Sequence, residues 1–469
     1  MRAVRFMRYA FLGAVVLLSG CMKAPKYSRP DLPVPPAWHA GGADQGSAQP
    51  DAPAAAELKW REFFKNLQLQ SVIELALANN RDLRMAALNT ERVQALYQIQ
   101  RSEQFPLVSV VNTRDLSRLP YRMSPTAQSE TTEQHMNVGS VSWELDFFGR
   151  IRSLKRQALE QYFATAQARS ATQIALVGAV ANSYLALAAN RDNLLLARQT
   201  FDAQQASYEL ILRTREFGIA SDLDVRQAQS QVESARADIA RYAGQVTVDE
   251  NALNFLVGAP VPADLLPEGL GSESSLQDIA AGVPSDVLLR RPDILAAEHQ
   301  LMAAYANIGA ARAAFFPRIS LTAGAGFLSN DILDLYKFGN RSWNFAPQVV
   351  TPIFDAGARR ANLKVSETDR DTATANYEKT IQSAFREVSD SLNLRTRLME
   401  QQQAQEALVA ALDETYRLSQ ARYKAGIDSY LSVLVAQRSL YGAQQGLIGI
   451  RLARLGNLVT LYKVLGGGA

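Results

Sequence analysis

The chain has 469 residues, 47% of them hydrophobic and 20% charged, which is room for two or three ordinary domains. Its formal charge of +3 resides in Arg2, Arg5 and Arg8, so the remainder is neutral and carries no electrostatic case for binding nucleic acid. A single cysteine excludes disulfides within the chain.

The three arginines precede an apolar run, Tyr9 to Leu18, that is too short to span a bilayer and has the form of a signal peptide over residues 1–20. The run closes on Leu18-Ser19-Gly20-Cys21, which looks like the lipobox of bacterial lipoproteins. Cleavage there would make Cys21 an acylated first residue, the only covalent group expected. Residues 21–56 read as a lipidated tether, kept extended by Pro25, Pro30, Pro33, Pro35 and Pro36 and poor in core-forming side chains. No other apolar run approaches the roughly eighteen residues of a membrane helix.

Beyond the tether the chain is duplicated. Tyr208 to Gly258 lies over Tyr416 to Gly466 without a gap, pairing Gly218 with Gly426, Leu223 with Leu431, and Ala228-Gln229 with Ala436-Gln437. Upstream, Asp82, Arg101 and Phe105-Pro106 fall on Asp293, Arg312 and Phe316-Pro317, and Gly149 falls on Gly357. A period this long marks a duplicated domain, since solenoid modules repeat every ~20–50 residues. The first repeat covers residues 57–258 and the second 285–469, joined by a Pro/Gly-rich linker at 259–284. Each has the order helix, strand pair, glycine, very long helix, glycine turn, long helix.

Strands are expected at about residues 106–117, 137–148, 317–328 and 342–354. Ile319, Leu321, Ala323, Ala325 and Phe327 alternate with Arg318, Ser320, Thr322, Gly324 and Gly326; Val141, Trp143 and Leu145 alternate with Ser142, Glu144 and Asp146. Roughly ten-residue alternating segments suit membrane strands, with Glu144 and Asp146 on the wet side. A soluble sheet with one wet face would alternate in the same way. Pro347 interrupts the last strand, where it removes a ladder donor. Four strands cannot span lipid as an open sheet, because unpaired edge groups cost several kcal/mol each in hydrocarbon. Two chains would give eight strands, three twelve and four sixteen.

Prolines are absent from Gly149 to Ala259 and beyond Pro352. Helical spacing runs through Ile151, Leu154, Ala158, Tyr162 and Ala166, and through Tyr377, Ile381, Phe385, Val388 and Leu392. Arg150 to Glu216 would be about 100 Å long at 1.5 Å per residue, and Ala358 to Lys424 matches it. Helices of that length pack along neighbours in a tubular or coiled-coil-like assembly. Gly218 and Gly426 suit the left-handed residue that closes a helix. Ser221 with Asp224, and Asp428 or Ser429, cap the next helices.

These residues resemble the TolC-like outer-membrane factors, in their lipoprotein (OprM/NodT-type) branch. The resemblance rests on the lipobox, the duplication, the two Phe-Pro entries, Trp143 to Arg150, Pro352 to Gly357, and the tip segments Gly218 to Gln229 and Tyr423 to Gln437. It implies an α+β chain of mostly long helices. Three copies would form a twelve-stranded outer-membrane β-barrel continued by a periplasmic α-helical barrel. The implied function is the exit duct of a tripartite efflux pump for drugs or other small toxic compounds. Its partners would be the other two copies of a homotrimer, a periplasmic adaptor (membrane fusion) protein, an inner-membrane transporter and outer-membrane lipid.

By resemblance the pore closes at the helical tip around Gly218 and Gly426, and Leu431 falls where an apolar residue narrows it. Close relatives carry an aspartate one turn on, where this chain has Val435; a valine ring would not favour cations as a carboxylate ring does. Asp222, Asp224 and Arg226 bring charge nearby, and Tyr423, Asp428 and Arg438 are candidates for bonds between neighbouring tips. A helix dipole also favours acids in a first turn without any gating role. No catalytic site is expected: His39, His135 and His299 lack ligand spacing, no phosphate loop or serine elbow occurs, and no metal or cofactor is implied. The rival readings are a metal-ion efflux or type I secretion duct, or a structural lipid-anchored envelope protein lacking membrane strands.

Overall fold

A computed structural model describes residues 24–35, 38, 58–120, 130–273, 276–277 and 285–467. Cys21, its lipobox and His39 lie outside the described residues. In chain order the elements are α1 (Trp60–Phe63), α2 (Leu67–Asn79), α3 (Arg81–Ser102), β1 (Leu107–Leu119), β2 (Glu130–Leu145), α4 (Arg150–Glu216), α5 (Asp222–Val257), α6 (Pro292–Ala313), β3 (Arg318–Ser329), β4 (Arg341–Val350), α7 (Ala358–Lys424) and α8 (Tyr430–Val464). Both α4 and α7 run unbroken for 67 residues. The chain forms two compact units, one of Met1–Asp31, Asn89–Ala166 and Ala296–Tyr377, the other of Leu32–Leu88, Gln167–Leu295 and Glu378–Ala469. Apart from the one between Asp31 and Leu32 in the tether, their boundaries fall inside α3, α4, α6 and α7.

The first unit holds the sheet, an antiparallel meander in the order β1-β2-β3-β4. Its register sorts the side chains, because residues paired across strands share a face. One face carries the rows Leu145–Ile319–Val349, Trp143–Leu321–Pro347, Val108–Val141–Ala323–Phe345 and Val110–Gly139–Ala325–Trp343. The other carries Glu144–Ser320–Gln348 and Ser109–Ser140–Gly324–Asn344. Pro347 stands on β4, an edge strand, which is where a sheet tolerates proline.

Both long helices start from an aspartate at the strand-to-helix junction. Asp146 accepts from the Ile151 and Arg152 amides at 3.1 and 2.8 Å, and Asp355 from the Gly357 and Arg359 amides at 3.2 and 3.0 Å. Carboxylates there satisfy orphan first-turn donors and suit the helix dipole. Glu144 is gripped by Arg150 through two 2.9 Å bonds. The two acids expected on the wet side of the strand are thus bound at the helix start. Alternation could not show this, because their partners belong to the next element.

The tether contributes more than a spacer to this unit. Glu298, 2% exposed, accepts from the Tyr27 hydroxyl and from both Nε and Nη2 of Arg29, each at 2.8 Å. Tyr27 also meets Tyr305 edge to face at 5.6 Å.

The second unit is built on aromatic and alanine packing. Phe63 stacks on Tyr462 at 4.1 Å, and the Tyr462 hydroxyl donates to the Leu58 carbonyl at 2.7 Å. Here Trp38 of the tether stacks on Phe385 at 5.3 Å. The described part of the inter-repeat linker is packed as well: Tyr184 and Arg191 donate to the Leu265 and Pro267 carbonyls, while Asp192 accepts from the Leu270 amide.

One expectation is corrected. Helix α4 contains an eighteen-residue stretch apolar enough to cross a membrane by length and composition, with mean hydropathy 1.4. It escaped notice because alanines dilute its bulk. The stretch is 56% buried within this single chain, in a helix whose Val177, Val180, Tyr184 and Leu187 are core residues, and so it reads as a packing helix.

Candidate channel constriction at the helical tips

Two turns, joining α4 to α5 and α7 to α8, form one packed tip. Gly218 (φ 74°) and Gly426 (φ 72°) adopt the left-handed conformation that favours glycine. Beyond them the Ile219 amide returns to the Thr214 carbonyl, and the Ile427 amide to the Arg422 carbonyl, each at 3.0 Å. Ile211, Val225 and Ala228 of the first repeat are buried with Tyr430, Val433 and Leu434 of the second. Tyr208, Leu212, Tyr416 and Tyr423 pack around this cluster. Burial, reinforced by Tyr416 and Tyr423, pushes the Tyr430 phenol up to about 12.

The residues singled out from the sequence divide clearly. Leu431 and Val435 are 53% and 52% exposed and lie four residues apart on one face of α8. Ile427, Phe217, Ile219 and Leu223 are exposed beside the same turns. The charged residues are mostly engaged within the chain. Asp222 pairs with Arg215 at 2.6 Å, and Arg226 donates to Gln229 at 2.8 Å. Asp224 closes a capping box, its amide reaching Ser221 Oγ at 3.2 Å while its carboxylate accepts from the Ser221 amide at 2.9 Å. Tyr423 lies 5.4 Å from the Tyr430 ring, and burial followed by the nearby Asp224 raises its phenol. Arg438 is exposed and makes no ion pair or hydrogen bond among the described residues.

Asp428 is not a helix cap. Arg422 grips it at 2.6 and 2.9 Å and holds its carboxyl below the ordinary aspartate range. Ser429 occupies the cap position of α8 but makes no side-chain cap bond. Sequence reasoning missed Arg215 and Arg422 altogether. The signal was present: an arginine in the last turn of each long helix stands six or seven residues before the aspartate it meets.

Elsewhere, His135 Nε2 lies 2.8 Å from Glu133 and His299 Nδ1 lies 2.8 Å from Glu160. No group of three or more histidine, cysteine, aspartate or glutamate residues suited to a metal occurs among the described residues.

A two-faced sheet exposed at both edges, set on duplicated long helices with a packed apolar tip, defines the subunit of an outer-membrane channel. The sequence profile of the outer membrane efflux protein family matches residues 72–259 and 283–467, and the chain belongs to that family. Two relatives from Pseudomonas putida, the antibiotic efflux pump outer membrane protein ArpC and the toluene efflux pump outer membrane protein TtgC, are each 49% identical over 453 residues. That alignment covers 96% of this chain and 93% of each relative. A membrane protein from Pseudomonas aeruginosa superposes with a TM-score of 0.89 at 40% identity, covering 95% of this chain and 100% of that one. The open state of the Neisseria gonorrhoeae MtrE outer membrane channel superposes at 0.85 and 34% identity, covering 96% and 98%. The fold is therefore that of an α+β outer-membrane channel subunit with four strands per chain, and the protein is an efflux channel of the outer membrane.

Proposed function

We propose that three copies join sheet edge to sheet edge, β4 of one against β1 of the next, in a twelve-stranded barrel continued by an α-helical barrel. The observation that carries this is the exposure of both edge strands. Val108 and Val110 on β1 are 70% and 65% exposed, and Trp343 and Phe345 on β4 are 79% and 60% exposed. In lipid such edges must be closed by another chain. Three is the count that the family resemblance supports. The apolar rows face hydrocarbon and the serine-, glycine- and asparagine-bearing face lines the pore. The two-faced sheet argues against a purely structural envelope fibre.

Cys21 carries the lipid in this reading. Leu431 and Val435 narrow the periplasmic mouth, and a periplasmic adaptor opens it toward an inner-membrane transporter that supplies the energy. The cargo is antibiotics and organic solvents, in line with the relatives. Accumulation of a fluorescent efflux substrate in the source bacterium tests the duct. Deletion should raise accumulation and the intact gene should reverse it; no change in a strain without another such channel would refute it. An oligomer that survives detergent without boiling tests the barrel.

A further inference from the structure

The apolar face of the sheet has a sharp upper limit. The rows from Leu145 to Gly139 cover seven residues of β2, six steps or about 20 Å of strand at ~3.4 Å per residue, close to the ~25 Å apolar band of outer-membrane barrels. The next row on the same face is Asn112–Asn137–Phe327–Arg341. One row further it is Arg114–His135–Ser329, and beyond that Leu116–Glu133 and Arg118–Thr131. The change from valine, alanine and tryptophan to asparagine and arginine takes place within a single step of the register.

The segment between β3 and β4 folds onto this border. Asn137 Nδ2 donates to the Tyr336 hydroxyl at 2.8 Å, and Tyr336 meets Phe327 edge to face at 5.3 Å. The Arg341 guanidinium sits 3.8 Å from the centroid of the exposed Phe338 ring. Amphipathic aromatics beside arginine are what a hydrocarbon–headgroup boundary selects. The opposite boundary is marked by Trp143, whose Nε1 donates to the Gln104 carbonyl at 3.1 Å.

Charge decides the ligand. Three exposed arginines share the outward face beyond the apolar rows, Arg114 and Arg118 on the edge strand β1 and Arg341 on the opposite edge strand β4, so that they become neighbours where β4 of one copy meets β1 of the next. The one carboxylate among them, Glu133, is held by Arg114 at 2.6 Å and by His135 at 2.8 Å. Asp115 lies on the opposite face. Arg341 has no carboxylate partner among the described residues, and its planar fork suits two oxygens of one phosphate. The strand ends bearing this cluster are those away from the long helices, which places them at the outer leaflet.

From this we infer that Arg341, with Arg114 and Arg118, forms a binding site for the phosphate groups of the outer leaflet's phosphorylated glycolipid. Tyr336 and Phe338 pack against the acyl-chain border below those phosphates. The inference rests on the barrel reading, in which the apolar rows face lipid. The site would seat the subunit at a fixed depth and fasten its outer rim to the leaflet through anionic headgroups.

The test is native mass spectrometry of the full-length detergent-solubilised protein, titrated with diphosphoryl lipid A, dephosphorylated lipid A or phosphatidylglycerol. Diphosphoryl lipid A should bind the unaltered protein at least tenfold more tightly than the other two, and added salt should weaken it. The Arg114→Gln/Arg341→Gln variant should lose that margin while still running as an oligomer on a non-boiled gel. Arg341→Lys should keep part of it, and Arg318→Gln, at the other end of the sheet, all of it. Equal binding of dephosphorylated lipid A, or undiminished binding by the double variant, overturns the inference. Equal binding of phosphatidylglycerol overturns the assignment to the glycolipid. Unaltered protein that never forms a detergent-resistant oligomer would sink the barrel reading itself, whatever lipid it bound.

Discussion

The turns at Gly218 and Gly426 occupy matching places in the two repeats and share their backbone bonds, yet different side chains fasten them. The first turn has a reciprocal capping box between Ser221 and Asp224 and an Arg215–Asp222 pair. The second has no side-chain cap, and its aspartate is drawn back to Arg422. Duplication preserved what the main chain requires, a left-handed glycine and two returning amides. It left the side chains free to diverge, since a tip needs some fastening and not one particular set of bonds. A cap satisfies orphan amides at any pH above the carboxylate range, whereas an exposed ion pair contributes little and is easily exchanged. The second turn is thus the looser of the two.

Substitutions can break or sharpen this contrast. The largest effect should come from Tyr430, which replaces the first turn's Asp222 at the equivalent position and fills the shared cluster. Tyr430→Ala should cost about 3–5 kcal/mol of tip stability, as deletion of a buried aromatic does. Proteolysis would show this as early cleavage near both turns; cleavage near Gly426 alone would mean that the turns are not packed as one. Next come the glycines. Gly218→Ala and Gly426→Ala should each cost about 1–2 kcal/mol, because an L side chain in the left-handed region is strained. Similar losses in thermal midpoint would confirm that the backbone demand is shared.

The caps should separate the turns. Ser221→Ala should cost about 1 kcal/mol, while Ser429→Ala should stay within about 0.5 kcal/mol, since no cap bond is lost. Equal losses would refute the contrast. The smallest effect is electrostatic. Arg422 lowers the Asp428 carboxyl, so the pairing is fully present above the ordinary aspartate value near ~4 and fades as pH falls through the lowered one. Planar-bilayer conductance should stay flat down to about pH 4 and rise as pH falls below it. Arg422→Gln should raise conductance at neutral pH and flatten the acid step; an unchanged step would assign it to another group.

Much of this fold was legible because its signals are local. Ile319, Leu321, Ala323, Ala325 and Phe327 announce β3 by alternation, and the observed strand is Arg318–Ser329. β2 begins at Glu130, well before the expected residue 137. Its outer half, with Glu133, Gln134 and His135, is polar on both faces, so no alternation marks it. The tip was half legible. Glycine and a Ser-x-x-Asp box are read within a few residues, but the choice between Asp428 and Ser429 as the cap turned on Arg422, across the turn.

By itself the sequence determined the duplication, the two helices of 67 residues, the four strands and the glycine turns. Each of these depends on periodicity, on a residue's own backbone freedom or on the absence of a breaker, and such effects act over a few neighbouring positions. Tertiary structure alone decided which polar groups meet: Glu144 with Arg150, Asp428 with Arg422, and Tyr27 and Arg29 with a glutamate some 270 residues away in the sequence. Only the strand register set three arginines, on the two edge strands, above one apolar face. The physical reason is that a side chain's partner is chosen by where distant segments are brought together, and no local pattern records that placement.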